Sequence, residues 1–293
     1  MAKRILLTGG TGYIGSHTAV ELIHQGYEVI IVDDLSNSEH RTIESIEKIT
    51  GTKPEFHQFD LRNSPSLEKL FKDNKFDGII HFAAKKAVGE SVEKPLLYYD
   101  VNLNSMLNLL KLMELHKVSN LVFSSSCTVY GQPSQLPVTE DTPFALAESP
   151  YGHTKQIGED ILNHTTRTNG QLQALSLRYF NPVGAHPSAL IGELPVGVPA
   201  NLVPFITQTA AGLRSELKVY GNDYLKKTEA QTLAQDQLLY QYSIPLNTPF
   251  YKILPPKSAR VRFKFSPDNM TPIVGDTLMC STTLSNNSNF QVA

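Results

Sequence analysis

Six short aliphatic runs alternate with helix-length segments through the first 180 residues of this 293-residue chain, and that alternation leaves few folds open. "RILLT" (4–8), "EVIIVD" (28–33), "EFHQFD" (55–60), "FDGIIHFA" (76–83), "NLVFSSS" (120–126) and "QALSLRYF" (173–180) read as strands. Several are almost continuously apolar, as strands are when helices cover both faces of a parallel sheet. Helical patterns fill the gaps at 13–25, 38–49, 64–74, 95–117 and 151–168. Strand then helix, repeated, predicts a doubly wound α/β sheet.

The first strand runs into "TGGTGYIG", where Gly9, Gly10, Gly12 and Gly15 fall within seven positions just before a helix. Glycine there gives up strand and helix propensity, so the bare backbone must serve something else. A turn of this kind brings backbone N–H groups and a helix N-terminus up to a pyrophosphate. The second strand ends in Asp33-Asp34, 18 residues after Gly15. A carboxylate at that place accepts hydrogen bonds from ribose hydroxyls and repels a 2′-phosphate, which predicts NAD in preference to NADP. Asp60-Leu61 and Phe82-Ala83-Ala84 end later strands on the same carboxyl edge, where such sheets bind ligands.

Tyr151 and Lys155 in "SPYGHTKQIGED" stand four apart at a helix start and so share a face. The pair is a common chance occurrence by itself. Its weight comes from Ser124, Ser125 and Ser126, which "VFSSS" delivers to the same sheet edge. A tyrosine of ordinary pKa about 10 is a poor base at neutral pH, and lowering it by ~3 units takes ~4 kcal/mol. One ammonium at ~4 Å in an effective dielectric near 20 supplies roughly that much. A Tyr151 pKa depressed by Lys155 is therefore expected.

Charge and cysteine content narrow the class further. The net charge of −2 gives no general affinity for nucleic acid or a membrane surface. Cys127 and Cys280 sit in neither disulfide nor zinc spacings, so no metal is expected and a reducing cytoplasm fits best. The opening residues lack the apolar core of a signal peptide. Composition changes near Leu225: residues 1–224 hold 19 Lys+Arg against 24 Asp+Glu, whereas 225–293 hold 7 against 4. That last stretch has six prolines and few helical apolar positions, so it can offset little of its ordering entropy. A loosely packed or mobile tail is the expectation.

The motifs Thr8-Gly9-x-x-Gly12-x-x-Gly15, Ser126 with Tyr151-x-x-x-Lys155, "HFAAKKAVGES", "SSSCTVYG" and "LRYFNPVGAH" resemble the extended short-chain dehydrogenase/reductases. Within them, the likeness is to the UDP-glucose (UDP-galactose) 4-epimerases over about residues 1–224. The resemblance implies a Rossmann-like NAD-binding domain over 1–180 and the start of a nucleotide-sugar region over 181–224. Residues 225–293 would then be a divergent tail, leaving an incomplete, atypical C-terminal substrate domain. It implies a tightly held NAD, a UDP-sugar substrate and a homodimer. Catalysis falls to Tyr151 as proton acceptor for the sugar 4-hydroxyl, Lys155 on the nicotinamide ribose and Ser126 on the 4-oxygen.

By the same likeness, Gly9, Gly12, Tyr13, Ile14, Gly15, Asp33, Asp60, Leu61, Phe82, Ala83, Ala84, Lys86, Tyr151, Lys155 and Phe180 contact cofactor. Ser126, Tyr151, Asn181, Asn201, Leu202 and Tyr220 line the sugar-nucleotide pocket. Asn181 also suits a turn, and Leu202 and Phe180 a core. After "VYGNDY" the family's Arg-Asp-Tyr segment does not occur here, and Arg260 and Arg262 have no matching context. Two other readings stand beside the epimerase. A sugar-nucleotide 4,6-dehydratase needs an extra acid and base, which the Ser-Ser-Ser-Cys at 124–127 does not offer. A non-catalytic NAD-binding fragment would follow from an unfinished substrate domain.

Overall fold

The structure, a computed structural model, describes residues 2–168 and 170–217. Among these, β1 (Arg4–Thr8), β2 (Glu28–Asp33), β3 (Glu55–Gln58), β4 (Gly78–His81), β5 (Asn120–Ser124) and β6 (Gln173–Leu177) form one sheet. Every pairing is parallel and the order is β3-β2-β1-β4-β5-β6. β1 is therefore central, with Leu7 opposite Ile31 on one side and Ile80 on the other. The order reverses at β1, and the carboxyl ends beside that reversal form the crevice where ligands bind in open sheets.

The helices are α1 (Tyr13–His24), α2 (Arg41–Thr50), α3 (Ser64–Asp73), α4 (Val88–Glu93), α5 (Pro95–His116), α6 (Pro150–Thr168) and α7 (Leu202–Ala210). The strand alternation explains why the central runs are apolar throughout. Leu6, Ile30 and Val32 enter one buried cluster with Leu67, Leu70, Leu109, Met113 and Leu162 of α3, α5 and α6. Leu7, Val29 and Ile31 enter the other with Ala19, Val20, Ile43 and Ile46 of α1 and α2. Successive residues thus serve opposite layers.

Local sequence fixes the helix ends. The Asn63 side chain accepts from the Ser66 N–H at 3.2 Å to start α3, with proline in the first turn. Lys117, in the left-handed region at φ 57°, stops α5. Each strand after β2 ends two to three residues before its apolar run does. Those extra residues, Phe59-Asp60, Phe82-Ala83, Ser125-Ser126 and Arg178-Tyr179-Phe180, leave the ladder at the carboxyl edge and furnish the site.

Contacts divide the chain into two compact units. Of the described residues, the first takes those of Met1–Phe180 with His186–Leu194; the second takes Asn181–Ala185 and those from Pro195 to Leu217. Ile191 is 4% exposed and belongs to the α1/α2 cluster, which explains why its segment joins the first unit. The second unit contributes α7, opened by Asn201. The divergent tail over 225–293, and with it the expected mobility, lies outside the described residues.

Candidate active site

The site begins at the glycine turn. Gly9 has φ +69°, and a Cβ there would lie 2.6 Å from the Ala83 nitrogen, so only glycine lets β1 turn this close to the end of β4. At Gly15 a Cβ would lie 2.2 Å from the Gly9 carbonyl oxygen, which is how α1 comes to rest on the turn. Gly12 is the N-cap of α1, and no side chain caps that helix end. Tyr13 and Ile14 form its first turn. This is a cradle shaped for an anion at a helix N-terminus.

Asp33 sits beside it at the end of β2. Its carboxylate accepts from the Thr11 N–H (3.2 Å), the Leu35 N–H (3.0 Å) and the Ser38 hydroxyl (3.2 Å). The aspartate therefore ties the glycine turn to the loop after β2, a role that the strand-end pattern alone did not indicate. At the end of β3 the Arg62 guanidinium grips Asp60 and holds its carboxyl below the usual range. Leu61 turns its side chain into the core and gives its carbonyl to Asn108 at 3.2 Å.

After β4, Phe82 and Ala83 pack against opposite core clusters, and the Ala83 N–H points to the Thr8 hydroxyl at 3.4 Å. Ala84 is half-buried. Exposed Lys86 pairs with Glu193 at 3.7 Å, and the same carboxylate joins burial in pushing the Tyr13 phenol up to about 12. Phe180 stacks on Tyr130 with centroids 6.5 Å apart.

The three serines meet α6. The Ser126 hydroxyl accepts from the Thr128 N–H at 3.2 Å and acts on the Tyr151 phenol to favour its ionised form. Lys155 is 4% exposed and donates to the Ser124 carbonyl at 2.7 Å, with its Nζ 5.0 Å from the Phe123 ring centre and 5.8 Å from that of Tyr151. Gly158 allows this, since a Cβ there would meet the Phe123 ring at 2.7 Å. On β4, buried His81 stacks against Phe123 and bonds the Thr8 hydroxyl at 2.7 Å. Burial, with the Lys155 charge adding, pushes His81 down to about 3, so this imidazole is neutral at physiological pH.

The electrostatics correct one expectation. The Tyr151 phenol is raised above 10, because burial outweighs the effect of the Ser126 hydroxyl. Lys155 is itself pushed down to about 8 by burial, against the pull of Glu159. Burial of the phenol is the larger effect, and the Lys155 ammonium, which donates to the Ser124 carbonyl, does not overcome it.

This has a measurable consequence. Below pH 8 the folded chain carries a charge that burial disfavours, while the unfolded chain keeps its proton up to the ordinary 10.5. Unfolding takes up a proton between those values, so stability rises with pH across that window, by about 3 kcal/mol in the absence of other titrations. Tyrosines with raised pKa values, such as Tyr13 and Tyr179, act oppositely near the upper end. Urea unfolding at pH 7.5 and 10 of the cofactor-free chain and of Lys155→Met isolates the lysine. The gain with pH should be larger in the unsubstituted chain; equal pH dependence would contradict the assignment.

The remaining sequence candidates belong to the second unit or lie outside the described residues. Asn181 is exposed, Asn201 stands at the N-cap position of α7 without a side-chain capping bond and Leu202 begins the helix at 40% exposed, all in the second unit. Leu202 is thus not a core residue. Tyr220 lies outside the described residues. Sequence reasoning passed over His81, Glu159, Arg178 and Glu193. A signal for Glu159 was present, as it stands one further helical turn beyond Tyr151 and Lys155. Among the described residues no cluster of His, Cys, Asp and Glu could hold a metal, and no helix is long and apolar enough to cross a membrane.

A family model described as GDP-mannose 4,6 dehydratase matches residues 6–236. UDP-glucose 4-epimerase 2 of Arabidopsis thaliana is 49% identical over 241 residues, 81% of this chain and 68% of its own length. The chain belongs to the UDP-glucose 4-epimerase family. A second member, UDP-glucose 4-epimerase of Dictyostelium discoideum, is 52% identical over 75% of this chain and 64% of its own length. The chain thus spans about two thirds of the length of these epimerase relatives. In solved form, the epimerase of Bifidobacterium longum, in complex with NAD+ and UDP, superposes with TM-score 0.75 at 42% identity. That match covers 83% of this chain and 76% of the other.

Proposed function

We propose that this chain interconverts UDP-glucose and UDP-galactose by transient oxidation at sugar C4, with NAD as its resident cofactor. The observation that carries the reading is the meeting of Ser126 and Tyr151, whose phenol the Ser126 hydroxyl acts on, with Lys155 one helical turn away, at the carboxyl edge next to the glycine cradle. The cradle fits a dinucleotide: two positions that no Cβ could occupy, an uncapped helix N-terminus and a carboxylate at the end of β2. Gly9, Gly12, Tyr13, Ile14 and Gly15 would hold the pyrophosphate, Asp33 the adenosine ribose, and Lys155 the nicotinamide ribose. When bound, NAD supplies a reversible hydride acceptor for C4.

The chain's own residues handle the proton and the oxygen. Tyr151 takes the proton of the 4-hydroxyl and returns it after the sugar has presented its other face. Ser126 Oγ holds the 4-oxygen through both halves of the cycle. The Lys155 ammonium lowers the cost of the phenolate. Since NAD is regenerated in each cycle, no net NADH should accumulate. A 4,6-dehydratase would need a carboxylic acid where Cys127 follows the serines. A homodimer and a cytoplasmic setting complete the reading by family likeness and cysteine usage.

The test is turnover of UDP-galactose by the full chain, read as UDP-glucose in a coupled assay. Epimer formation without consumption of added NAD is the expected result. A chain that retains NAD yet forms no UDP-glucose would overturn the epimerase assignment in favour of a cofactor-binding module. Formation of a 4-keto-6-deoxy sugar would favour the dehydratase.

Cofactor choice gives a second check. Asp33→Ala should weaken NAD and relax discrimination against NADP about tenfold, as the repulsion of a 2′-phosphate is lost. It should also loosen the turn, because Thr11, Leu35 and Ser38 lose their shared acceptor. Equal binding of NAD and NADP by the unsubstituted chain would refute the role of Asp33 in selection.

A further inference from the structure

Three consecutive serines on the sheet edge contact three positions of α6 that are four residues apart. The Ser126 hydroxyl meets Tyr151, the Ser124 carbonyl accepts from Lys155, and the Ser125 hydroxyl donates to the Glu159 carboxylate. Residues four apart on a helix lie on one stripe, so strand end and helix are fastened along a single line. The third fastening has no part in the chemistry proposed above. It is the most strongly anchored of the three.

Glu159 is 4% exposed and receives Arg178, which donates from Nε to Oε1 at 3.0 Å and from Nη2 to Oε2 at 2.8 Å. Arg178 is fixed in turn. Its Nη1 donates to the Tyr130 hydroxyl (3.1 Å) and the Glu140 carbonyl (3.0 Å), and its guanidinium lies 5.1 Å and 4.9 Å from the Tyr130 and Phe144 ring centres. A forked, paired guanidinium holds a carboxylate in one orientation.

We propose that Glu159, clamped by Arg178, is a positioning residue that holds Ser125 and so sets Ser124 and Ser126 against Lys155 and Tyr151. The proposal rests on the epimerase reading and adds a residue to that site. It assigns Glu159 two effects. By geometry it fixes the strand end from which the Tyr151 partner projects. By charge it helps keep Lys155 protonated, as its field opposes the effect of burial.

Lys155 is faced by few other titratable groups. His81 on β4 is neutral, Tyr151 lies on α6 itself, Cys127 follows β5 with its thiol raised by burial, and Arg178 follows β6. From α5 and α4, Tyr98 donates to Glu90. The carboxylate next along the helix is Glu159.

Ser125→Ala cuts only the fastening and leaves the Glu159–Arg178 pair whole. It should lower kcat about tenfold with KM and retained NAD little changed, and Ser125→Thr should restore most of the loss by restoring the hydroxyl. Glu159→Gln should move the alkaline limb of the kcat–pH profile down by about one unit. The Lys155 side-chain NMR titration should move in the same direction. Unchanged kcat in Ser125→Ala overturns the proposal, and so does a uniform loss in Glu159→Gln with no shift of the profile. Should Glu159→Gln fail to fold, the alanine and threonine pair at 125 decides. A chain without turnover at any pH would sink the epimerase reading instead, while the NMR titration still tests Glu159.

Discussion

Tyr151→Phe is expected to retain NAD and a native melting profile while losing at least ~10³-fold in turnover. The ring stays, so the packing at the start of α6 survives; the hydroxyl on which Ser126 acts is lost, which costs about 1 kcal/mol. What disappears is the group that takes and returns the 4-hydroxyl proton. The raised phenol makes the expectation sharper. Burial opposes ionisation in the chain by itself, so the lowering needed for catalysis must be completed by charges that arrive with the ligands. His81, on the neighbouring strand, does not substitute, since it is neutral, buried and bonded to Thr8. NAD content of the purified variant and its rate with UDP-galactose check this directly. A variant within tenfold of the original rate would remove Tyr151 from the mechanism.

Gly15→Ala is expected to cost about 2–4 kcal/mol of stability and to reduce NAD retention at least a hundredfold. The added methyl would sit 2.2 Å from the Gly9 carbonyl and 2.8 Å from the Gly10 Cα, both backbone atoms of the turn. No side chain can swing aside to relieve that contact. The turn must move away from α1, and there is little room for it beside β4, where a Cβ on Gly9 would lie 2.6 Å from the Ala83 nitrogen. Gly26→Ala is the control for stability alone. Its φ is +82°, in the region that L side chains rarely adopt, but a Cβ there meets nothing within 4 Å, so backbone strain appears without damage to the cradle. Thermal unfolding and NAD content of the two variants separate the effects. If Gly15→Ala retained as much NAD as Gly26→Ala, the cradle would be misassigned.

Much of the scaffold was legible because a parallel sheet covered on both faces requires apolar residues at every central position. "EVIIVD" could hardly be read otherwise, and Val29, Ile30, Ile31 and Val32 are all buried. Strand ends were read long, since Phe82, Ala83, Ser125 and Ser126 remain apolar or small after the ladder stops. α4 and α7 were not anticipated, nor was the 3-10 turn at Cys127–Tyr130. Their patterns are too short to show a helical period.

At the site, spacing exposed the tyrosine, the lysine and the serines. It could not expose Arg178, whose partner lies 19 residues earlier on α6 and whose other contacts lie 38 and 48 residues back. Nor could it give the sign of the Tyr151 shift, which depends on how much protein surrounds the ring. A charge four residues away is visible in a sequence, whereas desolvation is not.

The central place of β1 bears on how the molecule is made. Its turn is shaped from the far side by Phe82 and Ala83, and its Thr8 hydroxyl bonds His81, 73 residues later in the chain. During synthesis the glycine-rich segment leaves the ribosome before β4 and has nothing to close against until β4 has followed it. A nascent chain therefore cannot hold the dinucleotide until that long loop has been drawn together. Once it has, the ligand binds only the closed arrangement and biases the ensemble toward it by mass action. Dinucleotide supply should accordingly raise the yield of folded chain, as well as its activity.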